Sequence, residues 1–127
     1  MPKPGQAEQR KHQRFTAELN VRLLVLDDRA EPIFELHGYS VDIALGGMAV
    51  LVPEPVPRER NVVLVVLDAD PAKAPRLLFA QTRSCNRVDS EWIRIGLQFH
   101  ELPRDIRSKS WFVAVERSNG LSLPATA

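Results

Sequence analysis

Phe15-Thr16-Ala17-Glu18-Leu19-Asn20-Val21-Arg22-Leu23-Leu24-Val25 is the stretch that decides the fold. Phe15, Ala17, Leu19, Val21, Leu23 and Val25 alternate with Thr16, Glu18, Asn20, Arg22 and Leu24, and only Leu24 breaks the period of two. Successive side chains of a strand point to opposite faces, so this alternation predicts a strand with one face buried. The same pattern returns near the other end of the chain. There Ile93, Ile95, Leu97 and Phe99 alternate with Trp92, Arg94, Gly96 and Gln98.

The segments between these two runs read as further strands and turns. Asp27 to Pro32 is a polar turn. An extended run covers about residues 33–43, with Ile33, Tyr39, Val41 and Ile43 expected on one face. Gly46-Gly47 permits a tight reversal, and Met48 to Val52 is a short apolar strand. Three prolines between Pro53 and Pro57 impose a loop. Val62 to Leu67 is continuously apolar and rich in valine, as expected of a strand buried on both faces. A turn region from Asp68 to Pro75 leads into an extended run over residues 77–88, and Asp89-Ser90 reverses the chain. After Pro103, proline being suited to a first helical position, the pattern turns helical. Ile106, Phe112, Val113 and Val115 are then placed to cover a barrel. Short strands divided by turn signals and followed by one helix predict an all-β fold. The expected architecture is a six-stranded antiparallel β-barrel with a C-terminal α-helix. Residues 1–9 are expected to form a flexible arm, residues 10–117 the domain and residues 118–127 a flexible tail.

Composition sets further bounds. The chain has 127 residues, enough for one domain, and 44% are hydrophobic. With 17 basic and 16 acidic residues, it lacks the excess charge of a protein that coats nucleic acid. The charge is uneven, however. Lys3, Arg10, Lys11 and Arg14 face only Glu8 within the first 14 residues. A basic arm on a near-neutral body predicts a local anion contact rather than a broad field. The single cysteine, Cys85, can form no disulfide within the chain. The start of the sequence has no apolar signal core, and no run reaches the roughly 18–20 apolar residues that span a bilayer. The expectation is a cytoplasmic protein without membrane insertion.

Two short motifs carry the chemistry. Arg10 and Arg14 stand four apart, just ahead of the first strand. Asp42-Ile43-Ala44-Leu45-Gly46-Gly47 follows at the end of the second, with Asp42 28 positions after Arg14. An antiparallel pair of strands can bring both motifs to the same rim. The arginine fork donates two parallel hydrogen bonds and pairs with anions such as phosphate. An aspartate accepts hydrogen bonds through both of its oxygens.

This pattern resembles the PilZ domain, whose motifs are RxxxR followed by (D/N)xSxxG. Ile95-Gly96-Leu97-Gln98-Phe99 also resembles that family's last strand. The likeness spans roughly residues 10–115, and Ala44 stands where the family has serine. It implies a ligand, cyclic di-GMP, bound by Arg10, Arg14, Asp42, Ala44 and Gly47. It implies no enzymatic activity and no cofactor beyond that ligand. It further implies a bacterial receptor whose arm rearranges on binding and signals to a downstream protein partner in motility, surface attachment or biofilm control. The alternative is a PilZ-like interaction module that no longer binds the nucleotide. The remaining chemistry is sparse. His12, His37 and His100 are scattered, and neither a metal-ligand spacing nor a phosphate-cradling glycine loop is present. Arg83 and Arg87 fall on one side of a single expected strand, within reach of phosphate if that side faces the rim. Trp92 is a possible stacking partner for guanine.

Overall fold

The computed structural model describes residues 19–70 and 72–118. Its strands are β1 (Asn20–Leu26), β2 (Pro32–Ile43), β3 (Gly47–Val52), β4 (Asn61–Val66), β5 (Arg76–Arg87) and β6 (Ile93–His100). They close into a barrel in the order β1-β2-β3-β6-β5-β4, and every neighbouring pair is antiparallel. The six-stranded antiparallel barrel expected from the alternating runs is thus the observed fold. Of the founding run, Phe15 to Glu18 lie outside the described residues.

Val21, Leu23 and Val25 of β1 point into the barrel. They meet Val50 and Val52 of β3, Leu64 of β4 and Ile95 of β6 in the main core. A second apolar cluster lies on the outer wall. Leu24 and Leu26 of β1, Val63 and Val65 of β4 and Phe79 of β5 pack there beneath Ile106 and Phe112. This explains both irregularities in the sequence pattern. Leu24 breaks the alternation because its outward face is covered, and β4 is apolar throughout because it serves both clusters. Fully burying one such side chain contributes about 1.5–3 kcal/mol relative to leaving it exposed.

The cover is two short helices, α1 (Arg104–Arg107) and α2 (Ser110–Ser118), rather than the single helix expected. Pro103 is extended and caps α1 instead of occupying its first turn. The helical path breaks after Ser108, whose N–H still reaches the Arg104 carbonyl at 3.2 Å. Trp111 joins the outer cluster in place of the expected Val113. Its indole Nε1–H donates to the Ala30 carbonyl at 3.0 Å, and Lys109 Nζ lies 2.7 Å from Glu31 Oε2. Both contacts tie the helices to the turn between β1 and β2.

Besides the irregularity at Ile33 between β1 and β2, two bulges set which side chains face outward around the β2–β3 and β5–β6 seams. Between β2 and β3 the register runs Ser40↔Val50, then Asp42↔Ala49, leaving Val41 as an extra residue. Between β5 and β6 it runs Thr82↔Leu97, then Ser84↔Gly96, leaving Arg83 as an extra residue. An extra residue inverts the parity of all that follows it. The expectation that Ile33, Tyr39, Val41 and Ile43 share one face is therefore corrected. Leu36 and Ser40 face inward, Ile33 and Tyr39 are exposed, and after the bulge Ile43 packs against the core.

Candidate functional site

The bulge at Val41 has a direct chemical consequence. Without it, Asp42 would follow Ser40 toward the core, where an ionised carboxylate is costly to bury. With it, Asp42 points outward. Its paired neighbours continue a row across the outer wall, from Asp42 to Ala49, Gly96 and Ser84. The middle of this row carries a methyl group and a hydrogen, so the wall is shallow there. A cleft of about 500 Å³ lies over it. Asp42, Ala44 and Gly47 line this cleft together with Arg83, Arg94 and Gly96.

Asp42 Oδ2 accepts from Arg94 Nη2 at 2.9 Å, and both side chains are partly exposed. Arg83 stands at the second bulge, where its Nη1 donates to Gln81 Oε1 at 3.0 Å. The turn between β2 and β3 is pinned by backbone. Ala44 N–H donates to the Gly47 carbonyl and Phe99 N–H to the Gly46 carbonyl, each at 2.9 Å. A Cβ at Gly47 would run into the Leu97 carbonyl oxygen. Close backbone approach of β6 thus accounts for glycine at this position. A second cavity of about 400 Å³ opens at the barrel mouth beside Leu19, Leu78 and Phe99, and it shares Ile43, Ala44 and Met48 with the cleft.

Of the five site residues read from the sequence, Asp42, Ala44 and Gly47 come together here, while Arg10 and Arg14 lie outside the described residues. The path toward them is fixed at its first described residue. Leu19 N–H donates to Ser40 Oγ at 3.0 Å, and Ser40 N–H donates back to the Leu19 carbonyl at 2.9 Å. The chain therefore enters the barrel beside Ser40, two residues before Asp42.

Arg94 is the residue that sequence reasoning missed. It read as an ordinary outward position of an alternating strand, because β3–β6 pairing joins strands far apart in sequence. Arg83 and Arg87, expected on one side, are separated by the bulge. Arg83 lines the cleft, whereas Arg87 Nη1 donates to the Asp89 carbonyl at 3.0 Å. Trp92 meets Tyr39 edge to face, with ring centroids 5.6 Å apart. Cys85 is partly buried against the core. Asp68 and Asp70 accept from the backbone N–H two residues ahead, as turn residues do. Among the described residues, no group of three or more His, Cys, Asp or Glu side chains is arranged to hold a metal ion. No described helix is long and apolar enough to cross a membrane.

Comparison with known proteins gives a consistent answer. A search of curated proteins finds no match. Among solved structures, the chain is similar to the Bacillus subtilis inhibitor of motility (MotI/DgrA), with a TM-score of 0.52 and 18% identity. That likeness covers 91% of this chain and 54% of the other, so the chain spans about half the length of that protein. The likeness shows the barrel fold. The model of the PilZ domain matches residues 8–110, and with most of its length matched, the chain belongs to the PilZ domain family.

Proposed function

We propose that the protein is a cyclic di-GMP receptor of the cytoplasm that performs no chemistry and passes its signal to a partner protein. The observation that carries this reading is the shared cleft of Asp42, Ala44 and Gly47 beside the point where the chain enters β1. Arg14 is five residues ahead of Leu19, and five residues of extended chain reach up to about 18 Å. That span is enough to bring a guanidinium to the cleft. Arg10 and Arg14 would supply forks for guanine and phosphate, and Asp42 would accept from the guanine N1–H and N2–H. Ordering the arm over the ligand would create the surface that a partner reads. Membership of the PilZ family supports the ligand class.

The test is a calorimetric titration of the purified chain with cyclic di-GMP, with GMP as control. Saturable binding in the micromolar range or tighter is the expected result. The Arg14→Glu variant should eliminate it, and binding unchanged by that variant would refute the proposed site. Ala44 favours one other reading, an interaction module that works without nucleotide, because it removes the hydroxyl of the family motif. Absence of any binding to the unaltered chain, with partner capture insensitive to added nucleotide, would establish that alternative.

A further inference from the structure

Arg83 and Arg94 belong to the barrel wall, not to the arm, and they line the same cleft as Asp42, Ala44 and Gly47. We propose that Arg94 is a specificity-determining residue that orients Asp42 toward the guanine base, and that Arg83 takes a phosphate of the same ligand. The inference rests on the receptor reading above and adds to it two residues outside the arginine motif.

The case for Arg94 is geometric. Its 2.9 Å bond occupies Asp42 Oδ2 from the β6 side. That bond restricts how the carboxylate can turn, and a guanine edge offers two parallel donors that need a suitably turned carboxylate. The case for Arg83 is one of charge and place. It is exposed, and among the described residues its guanidinium bonds a neutral amide and forms no ion pair. Between the two ends of the row lie Ala49, which is buried, and Gly96, over which Ser84 Oγ leans, so no long side chain rises from the floor of the cleft there. Three strand spacings separate Asp42 from Ser84, next to Arg83, which is about 14 Å. One end of the cleft therefore presents an oriented acceptor, and the other a cation that pairs with no carboxylate among the described residues. A purine nucleotide carries the complementary groups, with donors on the base and negative charge on the phosphate.

The experiment titrates the full chain and its R83Q, R94Q, R94K and R87Q variants with cyclic di-GMP and with cyclic di-IMP, which lacks the 2-amino group. R83Q should lose about tenfold in affinity for both ligands and keep the ratio between them. R94Q should bring the cyclic di-GMP to cyclic di-IMP ratio toward one, because an unoriented carboxylate no longer uses both donors. R94K should restore part of that ratio, and R87Q should match the unaltered chain. A merely structural arginine would not move the ratio. R83Q changes an exposed side chain, so its result does not depend on whether R94Q folds. If the unaltered chain binds while R83Q and R94Q bind as it does, with the same ratio, this inference is overturned and the receptor reading stands. If the unaltered chain binds neither ligand, both fall.

Discussion

Ala44 is where this chain departs from the family motif, and under the receptor reading one missing hydroxyl predicts a measurable penalty. A neutral hydrogen bond contributes about 0.5–1.5 kcal/mol, which is roughly twofold to tenfold in affinity. Ala44 is exposed on the turn, with its N–H already bonded to the Gly47 carbonyl, so a serine side chain there is accommodated without loss of backbone pairing. Ala44→Ser is expected to tighten cyclic di-GMP binding by up to about tenfold, measured by the same titration, and an unchanged affinity would show that the hydroxyl has no role in this chain. Thr82 is the structural counterpart. It is fully buried; its Oγ1 donates to the Pro57 carbonyl at 2.6 Å and accepts from Arg60 N–H at 2.8 Å. Thr82→Val keeps the shape and removes both bonds, so it should cost about 1–3 kcal/mol in urea unfolding. Asp42 and Gly47 were legible as a motif because their spacing is local. Arg94 was not, since its ion pair with Asp42 joins residues 52 apart in sequence.

At the scale of the element, alternation located the strands but not their faces. A bulge inserts one residue and no sequence signal, yet it reverses everything beyond it. Val41 turns Asp42 outward and Ile43 inward; Arg83 separates Thr82, which points into the barrel, from Ser84, which lies on the wall. The terminal helix was legible from its spacing, but its division in two was not, and at the break Lys109 and Trp111 contact residues of the β1–β2 turn 78 and 81 positions away in sequence. That docking is testable. Trp111→Phe keeps the ring and loses the bond to the Ala30 carbonyl, with an expected cost of about 1 kcal/mol in denaturant unfolding. The segment leading into β4 holds a different reserve. Glu59 is exposed with φ of 64°, in the left-handed region that disfavours a side chain, while its N–H bonds the Thr82 carbonyl. Glu59→Gly relieves that conformation and should raise stability by about 0.5–1 kcal/mol, read as a higher melting temperature.

For the whole molecule, closure of the barrel leaves acid as a specific threat, because among the described residues two surface carboxylates, Asp27 and Glu35, are held ionised by the folded structure. Asp27 Oδ1 accepts from Arg29 N–H at 2.8 Å and Glu31 N–H at 3.0 Å, and these backbone bonds, the one to Glu31 foremost, lower its pKa. Glu35 is lowered chiefly by its 2.7 Å bond from Arg22 Nε, with His37 at 2.8 Å adding to it. A carboxylate whose folded pKa lies below its unfolded value binds protons more readily in the unfolded chain. Its contribution is therefore fully present above the unfolded value and is lost as pH falls through the folded one. The urea midpoint should hold steady from neutrality down to about pH 5 and decline below that. Both groups are solvent-facing, so the decline should be gradual, and salt should reduce the part due to the Arg22–Glu35 pair. Glu35→Gln should lower stability at pH 7 and flatten the decline below pH 5. A Glu35→Gln chain that loses stability in acid as steeply as the unaltered protein would show that the Arg22 pairing is not what couples this barrel to pH.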